Sequence, residues 1–322
     1  MIGWLTGLRF AGVVLGFGAV LLPAGLSIAE EKVKAVASFS ILGDMVRQVG
    51  GDRVAVTTFV EPDGDPHDFE PTPAAAKQLA QSDVLFVNGL GLEGWLPRLE
   101  QASAFTGETV IVSEGIETAE MSGGHDHHHD GHDDHGHDDH GHDEPVADPH
   151  AWQSLADGKI YVENIRDGLI AADPAGKAVY EANAAAYLTK IDALDKNIRA
   201  AVAEIPKDRR VVVTSHDAFG YFGREYGIRF LAPHGVATES EASAKAVAEI
   251  IDQVRAEKIP AVFLENVSDP RLLNQIASET GAKIGGTLYS DALSGPDGPA
   301  PTYLAMIRHN MAELSKALQP ES

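Results

Sequence analysis

A chain of 322 residues with 44% apolar and 23% charged side chains is long enough for two lobes with their own cores, and its composition is too ordinary for collagen, a coiled coil or wholesale disorder. It sets 48 Asp and Glu against 25 Lys and Arg, a formal net charge of −23, which repels nucleic acid and anionic membrane and attracts cations. It has no cysteine, so disulfides and thiolate ligands are excluded, and any metal must be held by His, Asp or Glu.

Residues 1–29 read as a cleavable signal peptide. Arg9 is the only charged side chain before Glu30, Phe10 to Leu22 is apolar, and Ser27-Ile28-Ala29 fits a small-x-small cleavage site. The apolar run is short for a bilayer span, which needs about 20 residues. No Cys follows it to carry a lipid, so a periplasmic protein with no direct membrane anchor is expected.

Strand and helix patterns then alternate. Val33 to Ser38 predicts a strand, Ile41 to Val49 a helix closed by Gly50-Gly51, and Arg53 to Val60 a β-branched strand. Thr72-Pro73 supplies an N-cap and a first-turn Pro for a helix reaching Gln81. Val84 to Asn88 is a third strand, followed by a Trp95-containing helix and a strand near Thr109 to Val112. The pattern breaks at residues 121–148. Between Gly123 and Asp148 there are nine acidic residues, nine His and no Lys or Arg. Such a segment buries too little to offset the entropy of ordering and reads as a mobile insertion.

Asp173-Pro174 opens a long helical stretch that Pro206 stops. Strands are then expected at Arg210 to Ser215, Ile228 to Leu231, Ala261 to Glu265 and Lys283 to Tyr289. Helices run through Tyr226, from Ser240 or Ser243 to Glu257, over Arg271 to Thr280, and over Tyr303 to Leu318. Alternation of this kind implies βαβ units and mainly parallel sheets. The expected plan is an N-terminal βα lobe (30–172, with the insertion), a linking helix (173–206) and a C-terminal βα lobe (207–322).

Ligands in open α/β sheets bind outside the carboxyl ends of the strands. His67, His216 and Asp291 each lie just past an expected strand, and His150, in ADPHAW, begins the stretch that crosses between lobes. Three imidazoles and one carboxylate suit Zn²⁺, which accepts four such ligands in tetrahedral geometry, and a closed shell suits holding rather than hydrolysis. Taken singly, each reading has a plainer rival: the Pro-His pairs as turn chemistry, Asp291 as a helix cap or loop residue. His234 is surplus to a four-coordinate shell, and His309 reads as a surface position of the last helix. Metal-bound imidazoles pass their other N–H to a carboxylate or carbonyl, which makes Glu265, at the end of AVFLE, a supporting residue. Asp217 reads equally as such a partner or as a helix cap. In the insertion His125, His127, His128, His129, His132, His135, His137, His140 and His142 are expected to bind divalent metal weakly.

Together these segments identify a resemblance. PHDFEPTP with His67, DPHAW with His150, TSHDAFGYF with His216, LENVSD with Glu265 and YSDALS with Asp291 occur in this order over essentially the whole mature chain. The sequence resembles the zinc- and manganese-specific solute-binding proteins of bacterial ABC transporters. The resemblance implies two βα lobes joined by one long rigid helix, a metal held between them, and delivery to a membrane permease driven by a cytoplasmic ATPase. The acidic His-rich insertion is typical of the zinc branch, and the manganese branch usually has Glu where this chain has His216. The chain departs from zinc members that carry a disulfide in the C-terminal lobe, and from those that use water or a mobile Glu as the fourth ligand. The resulting expectation is a monomeric Zn²⁺ carrier with a periplasmic zinc chaperone as a further partner. The alternatives are a manganese-binding homologue, a zinc-dependent hydrolase, for which no HExxH motif is present, and a surface adhesin.

Overall fold

The computed structural model describes residues 1–3, 31–119, 147–235 and 242–320. The chain divides into two compact units, Met1–Glu31 and Lys32–Ser322. Most of the expected signal segment, and the expected insertion apart from its last residues, lie outside the described residues.

The second unit contains two four-stranded sheets, each wholly parallel. The first is built from β1 (Val33–Phe39), β2 (Val54–Val60), β3 (Val84–Val87) and β4 (Glu108–Ile111), in the order β2-β1-β3-β4. The second is built from β5 (Val211–Val213), β6 (Arg229–Leu231), β7 (Ala261–Glu265) and β8 (Lys283–Leu288), in the order β6-β5-β7-β8. The topology is the same in both. Each sheet starts near its middle, adds one neighbour on one side and the next on the other, and so has a switch point, at β1/β3 and at β5/β7. Runs such as VLFV in β3 are buried along their whole length, as expected for parallel strands covered on both faces.

Helices α1 (Ser40–Gly50), α2 (Pro73–Ala80), α3 (Leu96–Ser103) and α4 (Leu155–Ala172) belong with the first sheet. The side chain of Thr72 accepts from Ala75 N–H and caps α2, with Pro73 in its first turn. Helix α4 was not anticipated as a separate element. Its apolar stripe is thin, and its start is set by Ser154, whose hydroxyl accepts from Asp157 N–H. The long helix α5 (Lys177–Ala203) has 27 residues, which at 1.5 Å each spans about 40 Å. It is preceded by a 3-10 turn at Pro174–Gly176, because the Asp173 side chain accepts from Gly176 N–H and also binds Arg53 and Tyr180. Its buried residues, Tyr180, Ala184, Tyr187, Ile191, Leu194, Ile198 and Val202, recur every three or four positions and form one stripe. That stripe packs against α1 and α4 on one side of the molecule, and against α6 (Gly220–Tyr226) and α9 (Tyr303–Leu318) on the other. Helices α7 (Ala244–Glu257) and α8 (Arg271–Thr280) complete the second lobe.

The lobes are also joined directly. Trp152, fully buried, donates its indole N–H to Ser290 O at 2.8 Å and packs on Phe39 with ring centroids 4.9 Å apart. Tyr303 on α9 donates its hydroxyl to Trp152 O at 2.7 Å and accepts nothing of bulk from α4, because position 158 is glycine; a Cβ there would lie 2.4 Å from the Tyr303 hydroxyl oxygen. Leu293 N–H donates to Ser40 Oγ, and Tyr303 N–H donates to Asp44 Oδ2. These bonds fix the segment after β8 against the first lobe.

Candidate metal centre

Two of the side chains are positioned by the same three-residue sequence. In Asp65-Pro66-His67, Asp65 Oδ1 accepts from His67 N–H at 2.8 Å, and Pro66 O accepts from the Trp95 indole at 2.9 Å. In Asp148-Pro149-His150, Asp148 Oδ1 accepts from His150 N–H at 2.9 Å, and Pro149 O accepts from Asn88 Nδ2 at 2.9 Å. The Asp side chain closes the turn, Pro rigidifies it, and a fixed donor clamps the Pro carbonyl. Each imidazole therefore leaves a loop that is held at three points. In the second lobe, His216 follows β5 at the β5/β7 switch point. Glu265, the last residue of β7, accepts from Ser215 N–H at 2.6 Å and His216 N–H at 3.1 Å through Oε1. Asp291 follows β8, and the preceding Ser290 carbonyl accepts from both Trp152 and Gln153.

The four side chains converge. One ligand-capable atom from each of His67, His150, His216 and Asp291 can be chosen so that all lie within 4.8 Å of one another. His67 Nε2 is 3.2 Å from His150 Nε2, His216 Nε2 is 3.0 Å from Asp291 Oδ2, and His150 Nε2 is 3.4 Å from Asp291 Oδ1. A tetrahedral ion with bonds of about 2.05 Å separates its ligands by about 3.4 Å, so the spacing fits a small divalent cation. Burial argues the same way. His216 Nε2 and both Asp291 carboxylate oxygens are buried without an aligned hydrogen-bond partner. Buried polar atoms need a partner, and a cation at their focus would engage all three.

Two of the remaining ring nitrogens face carboxylates. His150 Nδ1 lies 2.7 Å from Asp148 Oδ1. His216 Nδ1 lies 2.6 Å from Glu265 Oε2, an ion-pair contact rather than an aligned hydrogen bond. Burial and the neighbouring charges set the charge states of His216, His67 and Asp291. Burial alone would lower the His216 pKa, but Glu265 and Asp291 outweigh it and hold the ring well above the ordinary histidine value. At His67 burial wins over the attraction of Asp291 and brings the pKa down to about 4. Burial would raise Asp291, yet His216 and His150 keep its carboxyl well below the usual range. Asp291 and His216 therefore face each other as an ion pair, beside a neutral His67 ring.

The expected residues fall into clear groups. His67, His150, His216 and Asp291 are brought together, and Glu265 is placed against His216. Asp217 sits beside the cluster with its N–H donating to Gly235 O, and the carboxylate at His216 Nδ1 is that of Glu265. His234 is bridged to His216 through the backbone and is outside the four-residue group. His309 is half-buried, 3.0 Å from Thr287 O and packed on Tyr289, rather than a surface residue. The nine histidines from His125 to His142 lie outside the described residues. Sequence reasoning missed Asp148 as the partner of His150. The signal was available, since Asp-Pro-His occurs at both His67 and His150.

Two parallel-sheet lobes that close on a buried cluster of three imidazoles and a carboxylate define a class: an α/β solute-binding protein whose solute is a metal ion. The model of the family described as zinc-uptake complex component A, periplasmic (ZnuA) matches residues 35–317, and the chain belongs to that family, the metal-binding component of ABC importers. It is 32% identical over 308 residues to the iron-binding protein YfeA of Yersinia pestis, covering 94% of this chain and 93% of the relative. It is 34% identical over 287 residues to the manganese-binding lipoprotein MntA of Halalkalibacterium halodurans, covering 89% of each. Its fold matches the periplasmic zinc binding protein TroA from Treponema pallidum with a TM-score of 0.79 at 27% identity, over 90% of this chain and 100% of that one. A membrane permease and its ATPase are the partners this family implies.

Proposed function

We propose that the chain captures Zn²⁺ in the periplasm, holds it through His67, His150, His216 and Asp291, and hands it to the permease. The observation that carries the reading is the buried, nitrogen-rich group of four ligand atoms within 4.8 Å. Three imidazoles favour zinc over Mn²⁺, which prefers oxygen-rich shells and stands lower in the divalent affinity order. The His/Asp-rich insertion would collect ions weakly and raise their concentration near the site. In this reading the chain is released from a signal peptide at 1–29. Some relatives are lipoproteins, and a thioether lipid anchor needs a cysteine, of which this sequence has none.

Competition titration of the purified mature chain tests the choice of ion. One Zn²⁺ should bind at the tight site and displace Mn²⁺ with at least about a hundredfold preference, as the affinity order predicts. In cells, deletion should impair growth in zinc-depleted medium, with recovery on added zinc. Equal affinity for the two ions, or recovery by manganese alone, would favour the second reading, a manganese or iron carrier, for which the names of the relatives speak.

The supporting carboxylates give a second expected result. Glu265→Gln and Asp148→Asn keep side-chain volume but weaken the acceptor behind His216 and His150. Each should lower Zn²⁺ affinity by about 10–100-fold, the usual cost of losing such a partner. Competition against a chromogenic chelator reads the change, and unaltered affinity in both variants would remove these carboxylates from the mechanism.

A further inference from the structure

Four loops that follow strands of the two sheets are linked to one another beside the metal cluster. Ser40 follows β1, Asp63 follows β2, Asn266 follows β7 and Leu293 lies beyond β8. Asp63 N–H donates to Leu293 O at 2.9 Å, and Asp63 Oδ1 accepts from Asn266 Nδ2 at 3.2 Å. Leu293 N–H in turn donates to Ser40 Oγ at 3.0 Å. Leu293, from the second lobe, is thus held by the first through both its N–H and its carbonyl.

A plainer account is a surface turn with incidental contacts. Glu61-Pro62-Asp63-Gly64 is a β-turn closed by Gly64 N–H to Glu61 O at 3.0 Å, with Pro62 at its second position. That bond completes the turn without help from the second lobe. The strain falls on Asp63, whose φ of 58° lies in the left-handed region that glycine occupies freely. A turn needing only to reverse the chain would be least strained with glycine at this position. Asp adds what glycine lacks, a carboxylate acceptor, and it reaches across the lobes to Asn266. The turn also directs the Asp63 N–H, which its own closing bond does not use, at Leu293 O.

Spacing along the chain gives these bonds their consequence. Asp63 precedes His67 by four residues, Leu293 follows Asp291 by two, and Asn266 directly follows Glu265, the residue behind His216. The bonds therefore tie the loop of a first-lobe ligand to the loops of the second-lobe ligands, in parallel with the 4.0 Å approach of His67 to Asp291. We propose that Asp63 is a positioning residue for metal release: it pins the His67 loop to the second lobe and so slows escape of the bound ion. The proposal rests on the metal-carrier reading above. His67 is the least buried of the four ligand candidates, so its withdrawal is what opens the ion to water. Asp63 acts on that step through the backbone of the loop, and its loss should fall on dissociation, where most affinity differences between related complexes lie.

The test is stopped-flow release of Zn²⁺ from the loaded mature chain into excess EDTA, beside association measured in competition with a fluorescent chelator. Asp63→Gly keeps the left-handed turn and its N–H and removes only the carboxylate, and Asn266→Ala removes the donor that faces it. Each should speed release about three- to tenfold, the range for one exposed hydrogen bond to a charged group, and should change the association rate by less than about twofold. The double variant should release no faster than the singles, because both lose the same bond. Asp63→Asn tolerates a left-handed φ and still offers an oxygen, so it should return release to within about twofold of the unmodified chain. A general loosening of the fold would instead add up in the double variant and would not be rescued by Asn. Unchanged release in Asp63→Gly, or additive effects in the double variant, overturns the proposal and leaves the carrier reading standing. An unmodified chain that binds no Zn²⁺ defeats that reading and this proposal together.

Discussion

Asp291→Asn is expected to lower Zn²⁺ affinity by more than about 100-fold while leaving the fold intact. Asp291 is the only carboxylate among the four converging side chains. Without it, a dication would meet three neutral rings, and nothing in the cluster itself would offset its charge in a buried setting. Loss of a partner one step removed from a metal costs about 10–100-fold, so loss of a ligand should exceed that range. Asn keeps the shape and the carbonyl oxygen, and the local backbone is held independently by Trp152 and Gln153 at Ser290 and by Ser40 at Leu293. A variant that keeps its circular dichroism and urea midpoint but loses tight Zn²⁺ binding fits the assignment. Wild-type affinity in this variant would show that the ion sits elsewhere.

The architecture was largely legible because its strands are continuous apolar runs, bounded by Gly, Pro and capping residues. AVFLE and the final helix Tyr303–Leu318 have the limits that their patterns predict. Helix α4 was harder, since only Glu163, Asp167 and Ala171 of its 18 residues are exposed, and a helix buried on several sides leaves no single apolar stripe in the sequence. Edges also moved where a side chain intervenes. Asp173 reads as a helix cap, but its extra bonds to Arg53 and Tyr180 hold the first turn in the tighter 3-10 form.

The candidate site was legible for a different reason. Parallel sheets direct the carboxyl ends of their strands to one edge, so residues just past those ends share a region whatever their distance in sequence. That logic reaches His67, His216, Glu265 and Asp291. It does not reach Asp148, whose role depends on a turn closing back on His150, or Asn88, which holds the Pro149 carbonyl. Nor does it give the charge state. That His67 is neutral while His216 is cationic follows from burial outweighing Asp291 at the first ring and from Glu265 and Asp291 together outweighing burial at the second, a three-dimensional fact.

If metal binds at the proposed site, this asymmetry should make its binding strongly dependent on pH. A protonated imidazole has no lone pair to offer, so the ion must displace any proton on its ligands. In the metal-free protein the His216 ring, held well above the ordinary value by Glu265 and Asp291, carries a proton at neutral pH. His67, brought down to about 4, does not. Each ion should therefore release at least one proton, and the logarithm of the affinity should fall by about one per pH unit as the solution is acidified. Between about pH 7.5 and pH 5 the loss is then about 300-fold, and it should steepen near pH 4, where His67 also protonates. Calorimetry in buffers of different ionisation enthalpy counts the protons, and chelator competition across that range gives the slope. A flat profile would mean that His216 does not exchange its proton for the metal, and the cluster would have to be reassigned as a structural ion pair.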